Sequence, residues 1–121
     1  MRLVLDTHAL IWWDEDRLPR RVTEAIQDAD VVFVSAVTAW EIAIKAALGK
    51  LVARGRVEDA LADYGFSSLP ISVGHADAVR NLAPHHRDPF DRLLIVQAQT
   101  EQLAIVTRDP VFKLYDVAVQ W

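Results

Sequence analysis

Four acidic residues spread along the chain could act together: Asp6, Glu41, Asp91 and Asp109. Carboxylates brought close repel one another, and at neutral pH some must take up protons unless a cation neutralises them. A hard divalent ion does so. Magnesium takes oxygen ligands, keeps several waters and is held directly by only one or two carboxylates. Manganese accepts the same donors and can substitute. The remaining acids would hold the waters of that ion, or a second ion. Such a centre suits phosphodiester hydrolysis, where attacking water is activated and the leaving oxygen stabilised.

The elements expected around these acids could place them on one edge. Arg2–Leu5 reads as a short strand stopping at Asp6, and Val31–Val34 as a β-branched, buried strand followed by Ser35. Glu41 lies in the helix expected over Ala36–Leu48, which Gly49 stops. Leu103–Thr107 reads as a strand, with Asp109 just beyond it, and Pro89–Gln102 as a long helix with Asp91 in its first turn. Further helices are expected over Thr7–Trp13, Pro19–Ala29, Arg56–Tyr64 and Val73–Leu82, and further strands over Ser67–Ile71 and Val117–Gln120. Pro70 marks an edge strand. Strands that are continuous apolar runs, alternating with helices, indicate a parallel sheet covered on both faces. The fold class is therefore α/β: three layers, with a central, mostly parallel sheet of four to five strands. In such sheets ligands bind at the carboxyl ends of the strands, and that edge is where all four acids can meet.

Each acid has a plainer role open to it. Asp6 could cap the helix starting at Thr7. Glu41 could pair with Lys45 four residues on, although the apolar helix around it makes a casual surface glutamate less plausible. Asp109-Pro110 could form a turn. Asp88 and Asp91 compete for one helix start; Asp88 suits the N-cap with Pro89 at N1, leaving Asp91 for the site.

Composition narrows the class. The chain has 121 residues, 52% of them hydrophobic, which suits one domain over 1–121 with a filled core. There are no cysteines, so disulfides and thiolate metal sites are excluded, and a reducing cytoplasm is the expected compartment. No apolar run can span a bilayer, and MRLVLD reaches an acid too early for a signal peptide. The net charge of −4 argues at first against a nucleic-acid partner. Of the 17 acids, however, four belong to the candidate site, and the 13 left balance the 13 lysines and arginines. A bound cation would invert the local sign and draw phosphate in. Arg17, Arg20, Arg21, Lys45, Lys50, Arg54 and Arg56 could then guide a phosphate backbone, or be solvated surface charge.

The segments VLDTHALIWW (Val4–Trp13), VSAVTAWEIAIK (Val34–Lys45), HRDPFDRLLIVQA (His86–Ala98) and VTRDPVFKLYDVAVQW (Val106–Trp121) carry a resemblance. In that order and spacing they resemble the PIN-domain ribonucleases, and more closely the VapC-type toxins of bacterial toxin–antitoxin pairs. The resemblance runs from end to end. It implies metal-dependent endonucleolytic cleavage of RNA by an acidic quartet at Asp6, Glu41, Asp91 and Asp109. It also implies that Asp6 and Asp91 are the direct ligands, with Ser35 and Thr107 beside them orienting acids or waters, or simply ending strands. A homodimer and a cognate antitoxin are implied as well. The stretch 52–81 carries no motif of the family.

Two other classes compete. Asp6, His8, His85, His86 and Asp88 could suggest a histidine-based transition-metal site, but adjacent loop histidines point apart, so His85 and His86 are expected in solvent and His8 as a packing or capping residue. Trp12, Trp13, Trp40 and Trp121 could anchor a non-catalytic binding module; core packing is the expectation for Trp40. A phosphatase or DNase would share the same metal chemistry.

Overall fold

The computed structural model describes residues 1–121. Its five strands are β1 (Arg2–Leu5), β2 (Val31–Ser35), β3 (Ser67–Leu69), β4 (Ala104–Val106) and β5 (Val119–Gln120). They form one sheet in the order β3-β2-β1-β4-β5, every pair parallel. Parallel neighbours need crossovers. These are supplied by α1 (Thr7–Asp14) and α2 (Arg20–Asp28), then α3 (Ala36–Ala47) and α4 (Val57–Tyr64), then α5 (Val73–Ala78) and α6 (Pro89–Glu101). No helix is long and apolar enough to cross a membrane.

Side chains alternate across the sheet, so each strand feeds two cores. Leu3, Leu5, Val32, Val34 and Val106 pack with Leu10 of α1 and Val22 and Ile26 of α2. Val4 and Ile105 point the other way, onto Val37 of α3, Leu94, Ile95 and Ala98 of α6, and Phe112. Each fully buried side chain of this size contributes about 1.5–3 kcal/mol. The sheet thus separates two helical layers, and the three-layer α/β/α expectation holds.

The register sets the functional edge. Leu5 pairs with Val34 on one side and with Val106 on the other. One residue further, Asp6, Ser35 and Thr107 stand level at the carboxyl ends of three adjacent strands.

Several boundaries differ from the sequence reading for physical reasons. Pro19 is the N-cap of α2, with extended ψ of 146°, so the helix starts at Arg20. The strand from Ser67 stops at Leu69, before Pro70, which has no N–H to give a ladder; β3 is an edge strand, as expected. The helix expected over Val73–Leu82 breaks into α5 and a 3-10 turn, Val79–Asn81. The Arg92 guanidinium binds the carbonyls of Val79 and Leu82 there, substituting for continued helical bonds. A second 3-10 helix, Pro110–Leu114, has no counterpart in the sequence reading. Gly65, at φ 71°, ends α4 as expected. The surface of α3 is less buried than its composition suggests: Trp40 is 56% exposed against Phe90, not in the core.

Candidate metal centre

Asp6 follows β1 and caps α1: its Oδ1 accepts the Ala9 N–H at 2.8 Å. The cap uses one oxygen only, so it leaves the second oxygen available to a site role. Asp6 is only 6% exposed. Glu41, 5% exposed, is presented by the first half of α3. Its Oε1 accepts the Thr7 hydroxyl and its Oε2 the Lys45 ammonium, each at 2.5 Å. The Glu41–Lys45 pair therefore forms, but at a buried carboxylate, where it orients the acid toward α1.

Asp88 caps α6, accepting the N–H groups of Phe90 and Asp91 at 2.8 and 3.0 Å, with Pro89 at the helix start. This division leaves the Asp91 carboxylate free of the cap. Asp109 caps the Pro110–Leu114 turn through Oδ1, which accepts the Val111 N–H at 3.0 Å, and turns Oδ2 elsewhere. All four acids line one cleft of about 440 Å³, together with Thr7, His8, Trp12, Lys45, Asp88 and Arg108.

Crowding shows in their protonation. Burial, then the charges of Asp88, Asp6, Glu41 and Asp109, push the Asp91 carboxyl up to about 8. Burial also raises Asp6, against the Thr107 side chain and the Ala9 N–H, which favour its ionised form. Lys45 is held above its ordinary value, chiefly by its hydrogen bond to Glu41 and further by Asp88 and Asp91. Against these four carboxylates and that of Asp88 the cleft sets only the Lys45 ammonium and the Arg108 guanidinium. Such an all-oxygen donor set, too rich in charge to ionise fully by itself, fits a hard divalent cation.

The two hydroxyls part company. Thr107 accepts the Asp109 N–H at 3.1 Å and eases Asp6, so it links two of the acids. Ser35 caps α3 through Val37 and donates to Gln97 at 2.5 Å; its bonds go to the scaffold rather than to an acid.

The histidines correct the sequence reading. His85 is exposed and edge-on to Tyr115, as a loop residue should be. His86 is not: its side chain is 14% exposed, and Nε2 lies 3.0 Å from Asp91 Oδ2 and 3.1 Å from Asp109 Oδ2. These three residues form the tightest group of ligand-type atoms in the protein, within 4.8 Å of one another. His8 is exposed at the cleft, beside Trp12. Arg108, also overlooked, reaches the cleft with its guanidinium 5.5 Å from the Trp12 ring centroid. Its place beside Asp109, after a strand end, was the available signal. Among the bases expected to guide phosphate, Lys45 lines the cleft, Arg17 covers Trp12 and Arg20 is paired with Glu24.

Comparison with known proteins agrees with the fold. No curated protein matches the sequence. The solved structure of VapBC2 from Rickettsia felis, bound to a DNA fragment from their promoter, is similar over 99% of this chain and 98% of that chain, with 13% identity and a TM-score of 0.73. A toxin–antitoxin complex from Klebsiella pneumoniae matches over 98% and 96%, with 18% identity and a TM-score of 0.68. FitAcB from Neisseria gonorrhoeae matches over 97% and 95%, with 23% identity and a TM-score of 0.64. At these identities the likeness is one of fold. The sequence model of the PIN domain matches residues 3–118, nearly the whole length. The chain belongs to the PIN domain family.

Proposed function

We propose that this protein is a magnesium-dependent endoribonuclease, the toxin of a toxin–antitoxin pair, formed by one domain over 1–121. One observation carries the reading: carboxylates from four separate elements line one cleft at the carboxyl edge of the sheet. Asp6 and Asp91 hold the ion directly, and Glu41 and Asp109 complete the negative charge around it. When bound, the ion activates water for attack on phosphorus and offsets charge on the phosphate. Manganese serves in its place.

The chain's own residues prepare that chemistry. Thr7 and Lys45 fix both oxygens of Glu41. Thr107 links Asp6 with the loop carrying Asp109. Lys45 and Arg108 supply positive charge where an RNA backbone would enter the cleft.

A cognate antitoxin, a homodimer and a cytoplasmic setting complete the reading. Solved structures of the same fold include a toxin–antitoxin complex, which supports the antitoxin partner, and a second groove offers such a partner a docking face. It is lined by Leu10, Ile11, Ile42, Val52, Val57 and Tyr64, and Val52 is 88% exposed there. The test is incubation of purified protein with RNA in magnesium, in manganese and in EDTA, followed by sequencing of the new ends. Discrete internal cuts that need either metal are expected; absence of cutting in both metals would refute the assignment.

A further inference from the structure

His86 lies outside the acidic quartet, yet every polar atom of it has a partner. Its backbone N–H donates to the Tyr115 hydroxyl at 2.7 Å, and that hydroxyl donates to the Ala83 carbonyl at 2.7 Å. Its carbonyl accepts the Arg92 guanidinium at 3.1 Å, and the same group holds Ala83 and Leu82. The ring stands edge-on to buried Phe112, with centroids 5.5 Å apart. A loop residue with its main chain and its ring so fixed has one orientation available.

The ring's proton is fixed too. Nδ1 accepts the Asp88 N–H at 3.2 Å. A backbone N–H can only donate, so Nδ1 carries the lone pair and Nε2 the hydrogen. That hydrogen points at carboxylate oxygens of Asp91 and Asp109, at 3.0 and 3.1 Å. A metal-ligating histidine has the opposite arrangement: one nitrogen bare toward the ion, the other donating to a carbonyl or carboxylate. For His86 to ligate, Nδ1–H would have to face the Asp88 N–H, donor against donor.

We propose that His86 is a positioning residue rather than a metal ligand: its Nε2–H tethers Asp109 and Asp91 side by side. The need lies with Asp109. It sits in a loop, and the Val111 cap fixes only its Oδ1; His86 fixes its Oδ2. This inference rests on the four acids being the metal site.

The test uses the full-length protein labelled with 15N, at neutral pH, with and without magnesium. Long-range ring correlations report which nitrogen bears the proton, and the His86 signals are assigned by their loss in His86→Gln. A proton on Nε2 alone, before and after magnesium, is expected. A proton on Nδ1, or an Nε2 stripped by the metal, overturns the proposal. Manganese affinity, read by paramagnetic resonance, gives a second readout. His86→Ala should weaken it about 10–100-fold, while His86→Gln, which keeps an N–H donor, should restore most of it with a melting transition that stays cooperative. Parental affinity in His86→Ala together with lost binding in Asp6→Ala would overturn the tether alone. Parental affinity in both variants would overturn the metal-site reading, and the tether with it.

Discussion

Asp91 shows most clearly what the site demands of a single residue. Its folded-state pKa of about 8 stands well above its ordinary 3.8, with burial the main cause. An acid shifted upward contributes stability that is fully present below its unfolded value and is lost as pH rises through the folded one. Asp6 is shifted in the same direction. In EDTA the melting temperature should therefore fall between about pH 4 and pH 8, and magnesium should raise it most at the alkaline end. Asp91→Asn should flatten that fall; melting curves of both proteins across pH check it, and a parent stabilised by rising pH would contradict it. Asp6, Asp91 and Asp109 were legible because each follows a strand end or opens a helix, and Glu41 because it is an acid within the apolar run of α3. His86 was not legible. Its burial depends on Tyr115, 29 residues further on, and on Arg92, and a polar loop beside a second histidine reads as solvated.

At the scale of the element, helix starts divide the labour among carboxylates. Asp88 serves the backbone of α6 so that Asp91, three positions on, does not. Its charge also opposes ionisation of Asp91. Asp88→Ala should cost about 1 kcal/mol through loss of the cap. Asp88→Asn keeps an acceptor at the cap and should cost less, while bringing the Asp91 pKa down toward its ordinary value. Urea unfolding ranks the two variants, and equal losses would mean that the cap contributes nothing. Helix and strand positions were mostly readable from apolar runs, caps and Gly65. The split of the helix after Ala78 was not, because Arg92 draws the carbonyls of Val79 and Leu82 from a distance in sequence. The exposure of Trp40 was unreadable for a related reason: an apolar helix does not state which of its faces the sheet covers.

At the scale of the molecule, the parallel sheet gathers residues 103 positions apart, Asp6 and Asp109, at one edge, just beyond two strands that lie side by side. The scaffold beyond the four acids is electrically neutral, and Lys45 and Arg108 are the only lysine and arginine that line the cleft. RNA affinity should consequently depend weakly on salt, with a log–log slope no steeper than about −2, as few phosphate contacts imply. Fluorescence anisotropy with a labelled RNA and the Asp91→Asn protein measures that slope; a much steeper one would reveal a basic surface beyond the cleft.

If the four acids act as one metal-dependent centre, cutting needs both Asp6 and the metal. The most direct measurement is the rate at which RNA is cut in magnesium by the parent and by a folded Asp6→Ala variant. Loss of one direct ligand should slow cutting at least about 100-fold while the melting transition remains cooperative, and EDTA should stop the parent. An Asp6→Ala protein that cuts as fast as its parent, at the same sites, would contradict the assignment.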